Sequence, residues 1–96
     1  MADERGSEAR RAYLVEHYRP GWDVAQLTSC IARVRETVVE MERAGEAVHY
    51  VRSTIVPKDE SFLCVIEAVS EEVVGAAYSR AQVPFERITA AISVEG

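Results

Sequence analysis

The sequence predicts a single α+β domain with the element order strand, helix, strand, strand, helix, strand. Three observations carry this. Short runs rich in β-branched and aromatic residues occur at 12–18, 47–56, 61–69 and 87–94. A twenty-residue stretch from 24 to 43 repeats apolar residues at steps of three and four. A polar link of only four residues, Pro57-Lys58-Asp59-Glu60, joins the second and third strand runs, so these form a hairpin.

The first strand, AYLVEHY, is closed by Arg19-Pro20-Gly21, a turn signal. Asp23 followed by Gln26 is a capping-box variant that satisfies orphan amides at a helix start, with Trp22 and Leu27 placed as a staple. Val24, Leu27, Ile31, Val34, Val38 and Met41 then line one stripe, and Gly45 supplies the stop. After the hairpin, Ser70 caps a second helix with Glu71 and Glu72 in its first turn, where the helix dipole favours them. That helix runs to about Gln82, and Pro84-Phe85 leads into the last strand. The order is the split βαβ, ferredoxin-like arrangement. Right-handed crossovers set the strands in the order 4-1-3-2 with both helices on one face. Residues 1–11 are polar and aperiodic and read as a flexible tail, leaving 12–96 as the domain.

Composition limits the function. Hydrophobic residues at 48% suffice for one core in a chain of 96 residues. Eleven basic residues are scattered among sixteen acidic ones, and the net charge of −5 argues against nucleic acid as a partner. No apolar run reaches the ~20 residues that cross a bilayer. The charged start, MADERGSEARR, is no secretory signal, so cytoplasmic residence is expected. Cys30 and Cys64 fall at apolar positions without zinc-site spacing and read as reduced core thiols.

Strand alternation separates the sheet faces. With the hairpin turning about Lys58-Asp59, Arg52 pairs with Val65 and Tyr50 with Glu67. A simple antiparallel register sets Glu16 opposite Val65 and Leu14 opposite Glu67. Val15, Val51, Ile55, Phe62, Cys64, Ile66, Ile88, Ala90, Ile92 and Val94 then lie under the helices. The open face holds Leu14, Glu16, Tyr18, Tyr50, Arg52, Leu63, Val65, Glu67, Thr89, Ala91 and Ser93. Apolar residues at its centre beside Glu16, Arg52 and Glu67 suit a face covered by a second subunit or forming a pocket wall. Glu16 and Arg52 flank Val65, and Glu67 lies one row away, at about 7–8 Å.

Two chemistries fit that cluster. Glu16, Glu67 and a histidine, His17, form a candidate divalent-metal set. Alternatively Glu16 or Glu67 serves as general base while Arg52 stabilises an enolate-like oxygen, as in a cofactor-free isomerase, cyclase or oxygenase. Tyr18, Tyr50, Leu14, Val65 and Leu63 would line the pocket in either case. His17 and His49 fall on the helix side near strand ends, where they read as satisfied edge histidines. A network of ion pairs fixing dimer register is the third reading. No G-x-S-x-G, glycine-rich phosphate loop or H-E-x-x-H occurs.

The segments YLVEHYRPG, VHYVRSTIVPKDESFLCVIEA and VPFERITAAI carry a resemblance to a bacterial family of small ferredoxin-like proteins. That family was long catalogued as a domain of unknown function and includes an actinobacterial nickel-binding protein. The resemblance covers residues 13–92. Its most specific pieces are the Glu16 strand, Tyr50-x-x-Ser53, the F-x-C-x-x-E-A segment at Phe62–Ala68, and Pro84. It implies a homodimer, a dimeric α+β barrel with sheets packed face to face, that binds a metal such as nickel. The family often has histidine immediately before the serine, where this chain has Arg52. A guanidinium cannot ligate a metal, which suits the pocket to an anionic or carbonyl-bearing small molecule. Looser similarity to dimeric α+β barrel enzymes is fold-level analogy.

Overall fold

The computed structural model describes residues 10–96, and the element order is β1 (Arg11–Tyr18), α1 (Val24–Arg43), β2 (Val48–Val56), β3 (Ser61–Ala68), α2 (Glu71–Ala81) and β4 (Arg87–Ala91), with a 3-10 turn at Pro57–Asp59. The four antiparallel strands run β2-β3-β1-β4 across the sheet, the expected ferredoxin-like order read from the other edge. Most of the expected N-terminal tail lies outside the described residues, and its last residue, Arg11, already belongs to β1.

Local chemistry sets the boundaries of α1. Gln26 donates its amide to the Asp23 carboxylate at 2.8 Å, and Asp23 donates back to Gln26 Oε1 at 2.9 Å. At the other end Gly45 takes φ +95°, and Glu46 and Gly45 donate to the carbonyls of Met41 and Glu42. These are the paired bonds of a Schellman stop. The stripe of α1 buries Leu27, Cys30, Val34, Val38 and Met41. Val24, expected on it, is exposed in the first turn. Ser70 caps α2 through Val73 N–H, and α2 buries Val74, Ala77, Tyr78 and Ala81.

Three features of the sheet differ from expectation. In the β1–β3 register Leu14 meets Val65, Glu16 meets Leu63 and Ala12 meets Glu67, two residues from the expected pairing. A two-residue slip preserves faces, so Glu16 stays on the open side but loses Val65 as its neighbour. Second, a bulge at Val51 interrupts β2. Arg52 keeps Val65, whereas Tyr50 meets Ile66 rather than Glu67 and moves to the helix side. Val51 is pushed out into solvent. Third, β4 stops at Ala91, leaving Ile92 at 91% and Val94 at 88% exposure instead of under the helices.

The core lies between the sheet and the two helices and includes Tyr13, Val15, Val48, Phe62, Cys64, Ile66 and Ala68 from the sheet. No helix among the described residues is long and apolar enough to cross a membrane.

Candidate functional site

The open face is laid out in rows by the registers. Thr54, Leu63, Glu16 and Arg87 form one row; Arg52, Val65, Leu14 and Thr89 the next; Glu67, Ala12 and Ala91 the third. Glu16 and Glu67 are therefore two rows apart, with Leu14 and Val65 between them. Glu16 is held by Arg87, whose Nη2 and Nε lie 2.6 and 2.8 Å from one carboxylate oxygen. Arg52 stands on the edge strand, two strands from Glu16, so the expected trio does not close into one cluster. Arg52 and Glu67 form no ion pair among the described residues. Arg87 shares the parity of Thr89 and Ala91 but is missing from the open-face residues expected from the sequence, and the β1–β4 register shows it opposite Glu16.

Of the expected lining residues, Leu14, Leu63 and Val65 share the centre of this face, and Tyr18 is exposed at the end of β1. Behind the third row a groove of about 610 Å³ is lined by Arg11, Ala12, Glu67 and residues 90–93. Arg11, assigned to the tail by sequence, is its basic residue. Glu67 is its acidic one.

Tyr50 belongs instead to a polar chain beneath the sheet. Its hydroxyl bonds to Ser53 Oγ, which lies 2.9 Å from Cys64 Sγ. Burial pushes the Cys64 thiol and the Tyr50 phenol up from their ordinary values. Tyr78 is buried close by, its phenol pushed strongly upward by burial, and its hydroxyl has no hydrogen-bond partner among the described residues. Cys30 is also a free, buried thiol, raised by burial against the opposing effect of Arg19 and Arg33.

His17 sits on this same helix side. Its Nδ1 is 3.1 Å from the Phe62 carbonyl, and its ring stacks on Phe62 at 3.9 Å. A carbonyl can only accept, so Nδ1 carries the proton and Nε2 is left bare, without a partner among the described residues. Desolvation lowers its pKa to about 4. His17 is thus separated by the sheet from Glu16 and Glu67. His49, expected on the helix side, comes opposite Glu67 in register and is exposed, with Nδ1 3.0 Å from the Glu42 carboxylate of α1. No group of three or more His, Cys, Asp or Glu residues among the described residues is placed to hold a metal ion.

These registers and motifs can be set beside known proteins. The family model described as "Nickel responsive protein SCO4226-like" matches residues 13–90. The chain belongs to this SCO4226-like family. The crystal structure of SCO4226 from Streptomyces coelicolor A3(2) is similar with a TM-score of 0.67 and 21% identity, over 86% of this chain and 99% of that one. At that identity the likeness speaks for the shared ferredoxin-like fold. No curated protein matches the chain.

Proposed function

We propose that this chain is a small homodimeric binding protein that packs its open sheet face against a second copy and holds its ligand between the two. The observation that carries the reading is the make-up of that face. Leu14 and Leu63 stand half-buried at its centre with no helix of the described residues over them, beside the already buried Val65, and are flanked by Arg52 and Glu67, which have no ion-pair partner among the described residues. Apolar surface of this kind gains about 25 cal/mol for each Å² removed from water. Charged groups at its rim supply the few polar anchors that orient a ligand.

Arg52 suits an anionic or carbonyl-bearing group, because the guanidinium offers a planar fork of donors. Tyr18 adds an aromatic wall with a hydroxyl. The family's description makes nickel a cargo to try. One protomer does not fit it: Glu16 is engaged by Arg87, Glu67 is two rows away, and His17 is on the other face. A nickel ion on this chain must then draw ligands from two copies, which ties its binding to association.

Leu63→Glu sets a carboxylate in the middle of the face. It is expected to halve the assembled mass in sedimentation equilibrium and to abolish the heat of nickel titration. An unchanged mass removes the interface; nickel binding retained by the variant removes the shared site. A wild-type titration flat for nickel, zinc and cobalt removes a metal as the cargo.

A further inference from the structure

The end of the sheet at β4 differs from its other end. β2, one edge, is broken by the bulge at Val51 and runs directly into Pro57. Bulges and prolines are the usual guards that keep an edge strand from pairing with another chain. β4, the opposite edge, pairs with β1 alone among the described residues and has no bulge in that register. No Lys or Pro occurs from 87 to 96. Beyond Ala91 the sequence alternation continues without a strand partner among the described residues, with Ile92 and Val94 on the parity of Ile88 and Ala90 and almost wholly exposed.

That segment is complementary to itself. Paired antiparallel with its own copy about Ala91, it sets Arg87 opposite Glu95 of the second copy, Ile88 opposite Val94 and Ala90 opposite Ile92. Each pair keeps parity, so Ile92 and Val94 join the face that already holds Ile88, large residues meeting small in the middle. The opposite charges fall at both ends on the open-face side, where Arg87 also meets Glu16. One-residue shifts in either direction break the match: Arg87 then meets Val94 or Gly96. Opposed charges and apolar cross-strand pairs are the units that stabilise such a ladder.

We propose that residues 87–95 form a second contact between copies of this chain, an antiparallel β4–β4 pairing centred on Ala91 that continues the sheet across a two-fold axis. The occupant of the exposed edge is a second copy of the same segment. The contact is separate from the open face and does not depend on the face-to-face reading. Each contact alone makes a pair; both together close into a four-chain assembly when their two-fold axes intersect at right angles and otherwise extend into a filament.

Cysteine trapping tests the register. Residues facing themselves across an antiparallel pair have Cα atoms about 4.5–5.5 Å apart, inside the disulfide range. With glutathione disulfide as the two-electron oxidant, Ala91→Cys is expected to give a covalent dimer that persists in the Leu63→Glu background. Thr89→Cys, facing Ser93 and about 13 Å from its own copy, should cross-link at least tenfold more slowly. No covalent dimer for Ala91→Cys, equal rates at the two positions, or loss of cross-linking with Leu63→Glu each overturns the pairing. Should Ala91→Cys not fold, Ser93→Pro and Glu95→Arg carry the test, since both lie outside the β1–β4 register. Each is expected to weaken association at least tenfold in sedimentation equilibrium, and unchanged association overturns the proposal.

Discussion

His17 gives the sharpest handle on stability. The residue is 2% exposed and stacked on Phe62, with its Nδ1 proton donated to the Phe62 carbonyl and its Nε2 lone pair facing no donor among the described residues. Charging it means placing an imidazolium in an apolar wall, and burial holds its pKa near about 4 against 6.5 for an ordinary imidazole. The folded state therefore binds fewer protons than the unfolded chain between those two values. Stability is then full above pH 6.5 and falls as pH drops towards 4, by up to about 1.4 kcal/mol per pH unit. Between pH 7 and pH 5 this one group costs the native state about 2 kcal/mol. His17→Gln keeps a donor for the Phe62 carbonyl and has no such titration. Urea unfolding followed by circular dichroism, at fixed protein concentration, should show the variant losing less stability over that interval by about this amount. Parallel curves for the two proteins would refute the account, because the slope would then come from other groups.

Two further changes probe how the fold is set. Asp23→Ala removes the acceptor for Gln26 N–H and should lower unfolding free energy by about 1 kcal/mol, with hydrogen exchange speeding first at the start of α1. Phe62→Ala empties a fully buried position and takes away the surface on which His17 stacks. It should cost about 3–5 kcal/mol in chemical denaturation, and a cost near zero would mean that Phe62 is not a tightly packed support beneath His17.

The helix boundaries were legible because their signals are local. Asp23, Gln26 and Gly45 act within four residues of where they sit, and nothing distant alters what they do. Sheet faces were nearly as legible, since alternation has a period of two and the error in pairing β1 with β3 was also two. The site was not, because it depends on which residues become neighbours across strands. Glu16 has two possible neighbours in its row, and the register decides between Val65 and Leu63 on one side and delivers Arg87 on the other. The bulge was equally hidden. Nothing in HYVRS marks Val51 as the residue to be extruded, yet that extra residue moves Tyr50 from the open face into the polar chain with Ser53 and Cys64.

The bulge also divides the chemistry of β2 between two environments. Without it, Tyr50 and Arg52 would stand on the same side, a phenol beside a guanidinium at the rim of a pocket. With it, Tyr50 supplies a hydroxyl to Ser53 in the half-buried layer above Cys64, and Arg52 remains in solvent opposite Val65. Ser53 Oγ then has two partners in that half-buried layer, the Tyr50 hydroxyl and Cys64 Sγ, so its polar atom is satisfied there. Arg52, freed from a tyrosine neighbour and unpaired among the described residues, is the cation best placed to meet something from outside the chain. Glu16 is the reverse case: its charge is already met by Arg87 within the protomer. A ligand at the proposed site would find Arg52 on one side and Glu67 with its groove on another, and Glu16 would still offer it Oε1, since both Arg87 contacts fall on Oε2. The Arg87 pair, an exposed one worth no more than about 1 kcal/mol, orients the Glu16 carboxylate and offsets its charge without occupying both of its oxygens.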